Sequence, residues 1–271
     1  MANVWDAMKK HQSEHGDEIA DQQDHHDTGS SASVPVNVRK DNLDGTKSDH
    51  RYSEVLVVYH NKGGAIAEEY RSLRTSLLSQ HRDNKICCIV TSADAKEGKT
   101  VTCLNLGLTL AERPESRVIV VDFDLRRGSM AGLLGLPSSP GMAELLRGSV
   151  SLPEIIHPGC YPNLFFILAG NSDFAEAGEL MERPELEDVI MQLRREYDFI
   201  IFDTPPMNVA SDAGILGKAV GEALLVVRMN KTKRESVARA IRLLRAANVK
   251  VAGIVLTYRK YYIPNYLYRY A

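Results

Sequence analysis

Continuous apolar runs alternate with amphipathic segments along most of the chain, from about residue 52 onward. The runs KICCIVTSA, RVIVVDFD, NLFFILAG, DFIIFDTPP, EALLVVRMN and KVAGIVLTY have the length and composition of buried strands. Between or before them, GAIAEEYRSLRTSLLSQ, TVTCLNLGLTLAE, PELEDVIMQLRREY and ESVARAIRLLRAAN have helical character. This alternation predicts an α/β fold, a doubly wound and mostly parallel sheet flanked by helices, in one domain over residues 51–257.

The first fifty residues have a different pattern. The stretch SEHGDEIADQQDHHDTGSS has six acidic side chains and no lysine or arginine. Because such a segment buries too little apolar surface to offset the entropy of ordering it, residues 13–50 are predicted to be a flexible polar linker. Residues 1–12 can form a short amphipathic helix with Val4, Trp5 and Met8 on one face, which either docks on a partner or frays.

Composition narrows the possible functions. A net charge of −2 over 271 residues gives no reason to expect the whole chain to bind nucleic acid or a membrane surface. The four cysteines lack CxxC spacing and are interpreted as reduced core residues. The histidines near the N-terminus are more simply explained as solvated linker residues than as metal ligands. No apolar run approaches the roughly 18 residues of a membrane span, so a cytoplasmic protein is expected.

The strongest motif is SADAKEGKT, which lies between a predicted strand and a predicted helix. It fits a Walker A loop, A-x-x-x-x-G-K-T, whose backbone N–H groups hold phosphate oxygens. Ala93 replaces the usual first glycine and Lys96 stands where a second glycine often occurs, so a slightly different loop shape is expected. Alternatively, Lys96 contributes charge near the phosphates. The predicted nucleotide-binding residues are Ala95, Lys96, Glu97, Gly98, Lys99, Thr100 and Val101.

Three carboxylates end two of the predicted strands. Asp122 and Asp124 are two residues apart, so strand alternation predicts that both point to the same side. Asp203 ends the run DFIIFD, as a Walker B carboxylate does. Ligands of open α/β sheets bind at these strand ends, and a metal–nucleotide site explains all three acids together. Arg126 and Arg127 follow directly. The pair is expected to contact phosphate or a neighbouring carboxylate, and a solvent-exposed surface position is an equally good interpretation for Arg127.

These features together resemble the cytoplasmic kinase domain of the bacterial tyrosine kinases, the autokinases of capsular and exopolysaccharide export. The resemblance is carried by EEYRSLRTSL, EGKT, VIVVDFDLRRG, FDTPPMNVASDA and the tyrosine-rich end, from about residue 66 onward. It implies a P-loop NTPase fold related to the partition ATPases, with ATP and Mg²⁺ as cofactors. It assigns catalysis to Lys99, Asp122, Asp124 and Asp203, and metal binding to Thr100, Asp122 and Asp203. Asp122 and Asp124 match the family's second Asp-containing motif, called A′, of which one carboxylate assists deprotonation of the acceptor tyrosine.

The resemblance also implies partners. Glu68, Arg71 and Arg74 match the ExxRxxR subunit-interface motif of the family, which implies a ring-like homo-oligomer in which each tail enters the neighbouring site. Helical spacing alone would make them an exposed group of little energetic consequence. A transmembrane chain-length regulator is the implied activator, and a cognate tyrosine phosphatase is a further expected partner, with no nucleic acid. The expected location is cytoplasmic, at the inner face of the membrane through that partner.

Six of the eleven tyrosines lie in the last fifteen residues, TYRKYYIPNYLYRYA. Burial explains Tyr258 at most, because Pro264 and Asn265 break any further helix. By resemblance the acceptors are Tyr258, Tyr261, Tyr262, Tyr266, Tyr268 and Tyr270. Basic neighbours would draw this tail to a phosphate-loaded site, and each phosphorylation adds about −1.5 to −2 charges. Several phosphates would reverse the charge of the tail and weaken its docking. The predicted oligomer therefore dissociates as it phosphorylates itself.

Three alternatives stay open. A non-kinase ATPase switch of the septum-positioning class shares the fold and the phosphate ligands, although the signature lysine of that class is replaced here by Asp94. An aromatic and basic tail can also bind single-stranded nucleic acid or a lipid interface. Finally, the alternation of Tyr266, Tyr268 and Tyr270 is compatible with an added edge strand.

Overall fold

The structure, a computed structural model, describes residues 52–259. The predicted N-terminal segment, the predicted linker and residues 260–271 of the tail lie outside the described residues. Within that range one sheet has the strand order β3-β4-β2-β5-β1-β6-β7. Its strands are β1 Ile86–Ser92, β2 Val118–Asp122, β3 Ile156–Pro158, β4 Leu164–Ile167, β5 Phe199–Asp203, β6 Glu222–Arg228 and β7 Lys250–Thr257.

The six predicted strands are confirmed, and all of them run parallel. They form a parallel sheet because each is apolar along its whole length, which suits a sheet buried on both faces. The short strand β3 was not predicted. It pairs antiparallel to β4 through only three residues, too few to show a period of two.

Helices flank this sheet. They are α1 Val57–His60, α2 Ala65–Leu78, α3 Lys99–Ala111, α4 Met130–Leu134, α5 Met142–Arg147, α6 Phe174–Met181, α7 Glu185–Glu196, α8 Asp212–Val220 and α9 Arg234–Ala246, with a 3-10 turn at Leu152–Ile155. The four predicted helices correspond to α2, α3, α7 and α9. The shorter α4 and α5 have five and six residues, which is less than two turns and leaves no periodic pattern to detect.

Helix α3 is the central helix of the domain. Eleven of its thirteen residues are buried between the sheet and the N-terminal helices. Gly107 allows α3 to lie close to β2, because a Cβ at this position would collide with Val120. Buried Asn105 accepts a hydrogen bond from Val58 N (3.0 Å) and donates to Val55 O (3.1 Å), which fixes the start of the domain on α3.

Two further expectations can be compared with the fold. All four cysteines are free, with Cys88 and Cys103 fully buried and Cys87 and Cys160 partly buried. Burial raises the pKa of the Cys88 and Cys103 thiols well above the usual range. In the part of the chain that the structure describes, no helix combines the length and apolar character needed to cross a bilayer.

Candidate active site

The phosphate loop connects β1 to α3, as the Walker A pattern predicts. Gly98, the N-cap of α3, has a φ of 90°. Lys96 is also in the left-handed region, with a φ of 60°. A side chain in this conformation costs about 1–2 kcal/mol, which glycine avoids. Ala93 is buried and is not among the residues with positive φ, so its substitution for glycine does not strain the backbone.

Glu97 connects this loop to the segment that follows β6 and to the end of β7. Its carboxylate is 2% exposed and accepts hydrogen bonds from the Thr232 hydroxyl and from Asp94 N. Its carbonyl oxygen accepts a bond from the Thr257 hydroxyl (2.7 Å), at the last residue of β7. The Glu97 side chain therefore supports the loop, and its prediction as a nucleotide-binding residue rests on its backbone alone.

The carboxylates of Asp122 and Asp203 end two adjacent strands. They are register partners on β2 and β5, and both are fully buried. Asp122 accepts hydrogen bonds from Asp124 N (3.0 Å) and Met130 N (3.1 Å), so it holds the loop that follows β2. In contrast, both Asp203 oxygens and Oδ1 of Asp124 are buried with no hydrogen-bond partner among the described residues.

Asp124 is positioned by a loop, and not by strand β2 as predicted. Strand β2 ends at Asp122, so the alternation of side chains along a strand does not orient Asp124. It belongs instead to the loop of residues 123–129, here called the A′ loop. Phe123 N donates to Asp203 O (2.7 Å), which continues the contact between the two chain segments beyond β2. Asp124 is still only 6% exposed, and burial raises its pKa against the opposing charge of nearby Lys99.

The electrostatics of the cluster favour a bound cation. Burial, followed by the charge of Asp203, raises the pKa of Asp122 well above its usual range. Burial raises the pKa of Asp203 to about 6, against the charge of Lys99. Burial likewise raises the pKa of Asp124. Like charges and unpartnered oxygens at one place are relieved by a cation, so the residues present fit Mg²⁺.

Side chains of residues 52–259 do not form a complete metal site by themselves. No group of three or more His, Cys, Asp or Glu among residues 52–259 is arranged to hold a metal ion. Mg²⁺ is commonly held by one or two carboxylates together with substrate phosphates and water. The Asp203 carboxylate and the Thr100 hydroxyl fit that pattern. The Thr100 hydroxyl lies 3.1 Å from the Ser129 hydroxyl at the end of the A′ loop.

Arg126 connects three segments around the site. Its Nε and one terminal nitrogen donate to the two carboxylate oxygens of Asp212 at 2.8 and 3.0 Å. The other terminal nitrogen donates to Phe174 O (2.7 Å), and the guanidinium carbon lies 4.0 Å from the centre of the Phe174 ring. The carboxylate that Arg126 reaches is therefore Asp212 of α8, whereas Arg127 is exposed on the surface.

The residues expected at a subunit interface are engaged within the chain. Arg71 and Arg74 both donate to Glu112 (2.6–3.2 Å for Arg71, 2.9 Å for Arg74), and Arg71 also pairs with Glu68. Glu68 remains 64% exposed at its side chain, while Arg71 and Arg74 are 22% and 18% exposed. Since the structure holds one chain, the interface stays a prediction.

Among the proposed acceptors, only Tyr258 lies in the described residues. It has a φ of 57° and is partly buried, and burial raises the pKa of its phenol. The guanidinium of Arg228 lies 3.9 Å from the centre of its ring and also donates to Lys96 O of the phosphate loop (3.4 Å). The other candidates fall outside the described residues: Tyr261, Tyr262, Tyr266, Tyr268 and Tyr270.

Comparison with known proteins agrees with this geometry. The family model described as an AAA domain matches residues 87–235. The putative tyrosine-protein kinase EpsB of Ralstonia nicotianae is 30% identical over 247 residues, which cover 88% of this chain and 33% of EpsB. The putative tyrosine-protein kinase CapB of Staphylococcus aureus is 27% identical over 202 residues, 74% of this chain and 88% of CapB. The solved kinase domain of the Escherichia coli tyrosine kinase ETK has 26% identity and a TM-score of 0.71, covering 83% of this chain and 88% of that domain.

A Walker A loop and strand-end carboxylates on a mostly parallel sheet define a P-loop NTPase domain. The chain belongs to the AAA domain family and, within it, to the P-loop domains of the bacterial tyrosine kinases. It spans about a third of the length of EpsB.

Proposed function

We propose that this chain is a protein-tyrosine kinase that transfers the γ-phosphoryl group of ATP to tyrosines in the tail of a neighbouring copy. The observation that carries the proposal is the cluster of Lys99, Asp122, Asp124 and Asp203 beside the phosphate loop. A tyrosine-rich segment begins directly after β7, whose last residue is hydrogen-bonded to that same loop. A nucleotide site and an acceptor-rich segment in one chain are the two components that autophosphorylation needs.

Each residue of the cluster has a proposed part. Lys99 and the N–H groups at the start of α3 bind and orient the phosphates. Mg²⁺, when bound, neutralises charge that develops on the transferred group. Asp203 and Thr100 are the residues that would hold it, while Asp122 contributes its charge and fixes the A′ loop through two backbone N–H groups.

Asp124 is proposed to orient the acceptor phenol. Its buried Oδ1 has no hydrogen-bond partner among the described residues and would accept a hydrogen bond from the phenol. A carboxylate cannot fully deprotonate a phenol whose pKa is near 10. A loose phosphoryl-transfer transition state asks mainly for alignment and charge stabilisation, which a positioned carboxylate can supply.

The proposal extends to assembly and location. Glu68 projects into solvent beside Arg71 and Arg74 and would contact a neighbouring copy in a ring-like homo-oligomer. The complex would act at the inner face of the membrane with a transmembrane chain-length regulator as its activator. It would control polymerisation and export of an exopolysaccharide or capsule, and a tyrosine phosphatase would reverse the modification.

The test is phosphotyrosine mapping by mass spectrometry after incubation of the purified chain with Mg·ATP, with and without the cytoplasmic fragment of the activator. The parent and Lys218→Met, which changes an exposed lysine of α8, should carry tail phosphotyrosine, whereas Lys99→Met should carry none. Absence of tail phosphate with the activator fragment present would refute the kinase proposal. ATP-dependent dimerisation that is unchanged by deletion of the tail would then support an ATPase switch of the septum-positioning class. Retention of the tail on single-stranded DNA would support a nucleic-acid-binding tail.

A further inference from the structure

We infer that Tyr258 is a regulatory modification site whose phosphorylation weakens nucleotide binding in its own chain by drawing Arg228 away from the phosphate loop. This inference rests on the proposed kinase function, which supplies the phosphate, and adds a regulation of the same nucleotide site. The contacts that carry it connect the ends of β6 and β7 to Lys96 and Glu97 of the loop.

The ends of two adjacent strands support the phosphate loop. Arg228 and Thr257 are register partners at the ends of β6 and β7. A terminal nitrogen of Arg228 donates a hydrogen bond to Lys96 O (3.4 Å), and the Thr257 hydroxyl donates to Glu97 O (2.7 Å). Met229 N also donates to Thr257 O (3.1 Å), which keeps the two strand ends together. Side chains from both strands therefore hold two successive carbonyl groups of the loop.

These two bonds also set the direction of backbone N–H groups in the loop. In a planar trans peptide, the N–H group points opposite to the carbonyl group of the preceding residue. The bonds to Lys96 O and Glu97 O therefore direct the N–H groups of Glu97 and Gly98 to the other side of the loop. Such N–H groups bind phosphate oxygens in a Walker A loop, and left-handed residues on both sides of Glu97 are typical of backbone concavities that bind anions. Arg228 and Thr257 thus act as positioning residues for phosphate binding.

Tyr258 keeps the Arg228 side chain at this place. The guanidinium carbon of Arg228 lies 3.9 Å from the centre of the Tyr258 ring, a close contact between a cation and an aromatic face. Tyr258 is partly buried and has a φ of 57°, so the chain turns out of the β7 direction directly after Thr257. Within residues 52–259 Arg228 makes no ion pair, so no carboxylate there competes with a phosphate for its charge.

Phosphorylation of Tyr258 changes what Arg228 binds. The γ-phosphoryl group of ATP bonds to the phenolic oxygen of Tyr258, its bond to ADP breaks, and the phenolic proton passes to solvent. The new group carries about −1.5 to −2 charges, and a guanidinium pairs with phosphate oxygens through two parallel hydrogen bonds. The phosphate is attached at the edge of the ring, whereas the guanidinium of the unmodified chain lies over its face. Arg228 therefore leaves the ring face and Lys96 O to pair with the phosphate, and the loop loses one of its two supports.

The nucleotide affinity of full chains with phosphotyrosine encoded at one position tests this inference. The probe is mant-ADP, a fluorescent ADP, with Mg²⁺ present, because ADP cannot donate a γ-phosphoryl group. We expect Tyr258→phosphotyrosine to raise the Kd for mant-ADP about tenfold, as the loss of a hydrogen bond and its consequences allow. Tyr161→phosphotyrosine, at a partly exposed position before β4, is the control and should leave the Kd unchanged. An unchanged Kd with phosphotyrosine at 258, or an equal rise at both positions, would overturn the inference.

Substitutions separate the part of Arg228 from the charge of the phosphate. Arg228→Gln removes the guanidinium and should raise the Kd for mant-ADP about three- to tenfold. In that background, Tyr258→phosphotyrosine should have less than about a third of its effect in the parent chain. Tyr258→Phe keeps the ring and should restore the affinity that Tyr258→Ala loses, and circular dichroism checks that each chain is folded. Fully additive effects of Arg228→Gln and Tyr258→phosphotyrosine would refute the route through Arg228.

The affinity measurements need no kinase activity, so they separate this inference from the kinase proposal. Absence of phosphotyrosine in the parent after incubation with Mg·ATP and the activator fragment would refute the kinase proposal, whereas an unchanged Kd for mant-ADP would refute regulation through Tyr258. A parent chain that carries phosphate within residues 260–271 and none on Tyr258 would refute Tyr258 as a modification site.

Discussion

The ion pair between Arg126 and Asp212 should be a main support of the A′ loop. Asp212 is 2% exposed and the Arg126 side chain is 13% exposed, so both charges are largely removed from water. Arg126→Ala deletes both bonds to Asp212 and leaves a buried carboxylate without its partner. Breaking a buried pair in this way costs about 3–5 kcal/mol, because the remaining charge is uncompensated.

Urea unfolding followed by circular dichroism measures this cost, and a double-mutant cycle isolates the pair. We expect Arg126→Ala to lower the free energy of unfolding by about 3 kcal/mol or more. The double variant Arg126→Ala/Asp212→Ala should lose less than the sum of the two single variants, since no charge is then left unpaired. A loss below about 1 kcal/mol for Arg126→Ala, or additive losses in the cycle, would refute this account of the A′ loop.

Three smaller changes probe the same framework. Lys96→Gly should be more stable than Lys96→Val by about 1–3 kcal/mol in thermal unfolding, because a β-branched residue resists the left-handed conformation; equal stability would contradict the strain at this position. Thr257→Val removes the bond to Glu97 O and should cost about 0.5–1.5 kcal/mol and weaken ATP binding, whereas Thr75→Val should leave ATP affinity unchanged. Hydrogen bonds from Arg71 lower the pKa of Glu112 below its ordinary 4.5, so the free energy of unfolding should fall as pH drops below that value. Glu112→Gln should flatten this pH dependence, and identical slopes for parent and variant would contradict a contribution of Glu112.

The sequence was sufficient for the six parallel strands of the sheet and for the edge that carries the phosphate loop. Four successive apolar residues followed by Asp identify β2 (VIVVD) and β5 (FIIFD) from the sequence alone. The acids that end them must then lie at the carboxyl edge of a parallel sheet, beside the phosphate loop. Both conclusions depend on local patterns, which a single sequence records directly.

The contacts that hold the site together could not be read in this way. Arg126 and Asp212 are 86 positions apart, and Glu97 is bonded to residues 135 and 160 positions away. No local pattern reports such pairs. Asp124 was expected to be oriented by strand alternation, but β2 ends two residues earlier, and strand ends are set by hydrogen bonding that the sequence does not show.

A mixing experiment tests the central claim most directly. The Lys99→Met chain, which has a tail but lacks the lysine of the phosphate loop, is combined with a chain that ends at Thr257 and lacks the tail. With Mg·[γ-³²P]ATP and the activator fragment, the account predicts label on tail tyrosines of the Lys99→Met chain in the mixture, and none in either chain alone. Unlabelled Lys99→Met chain in a mixture whose truncated partner binds ATP would contradict transfer between copies.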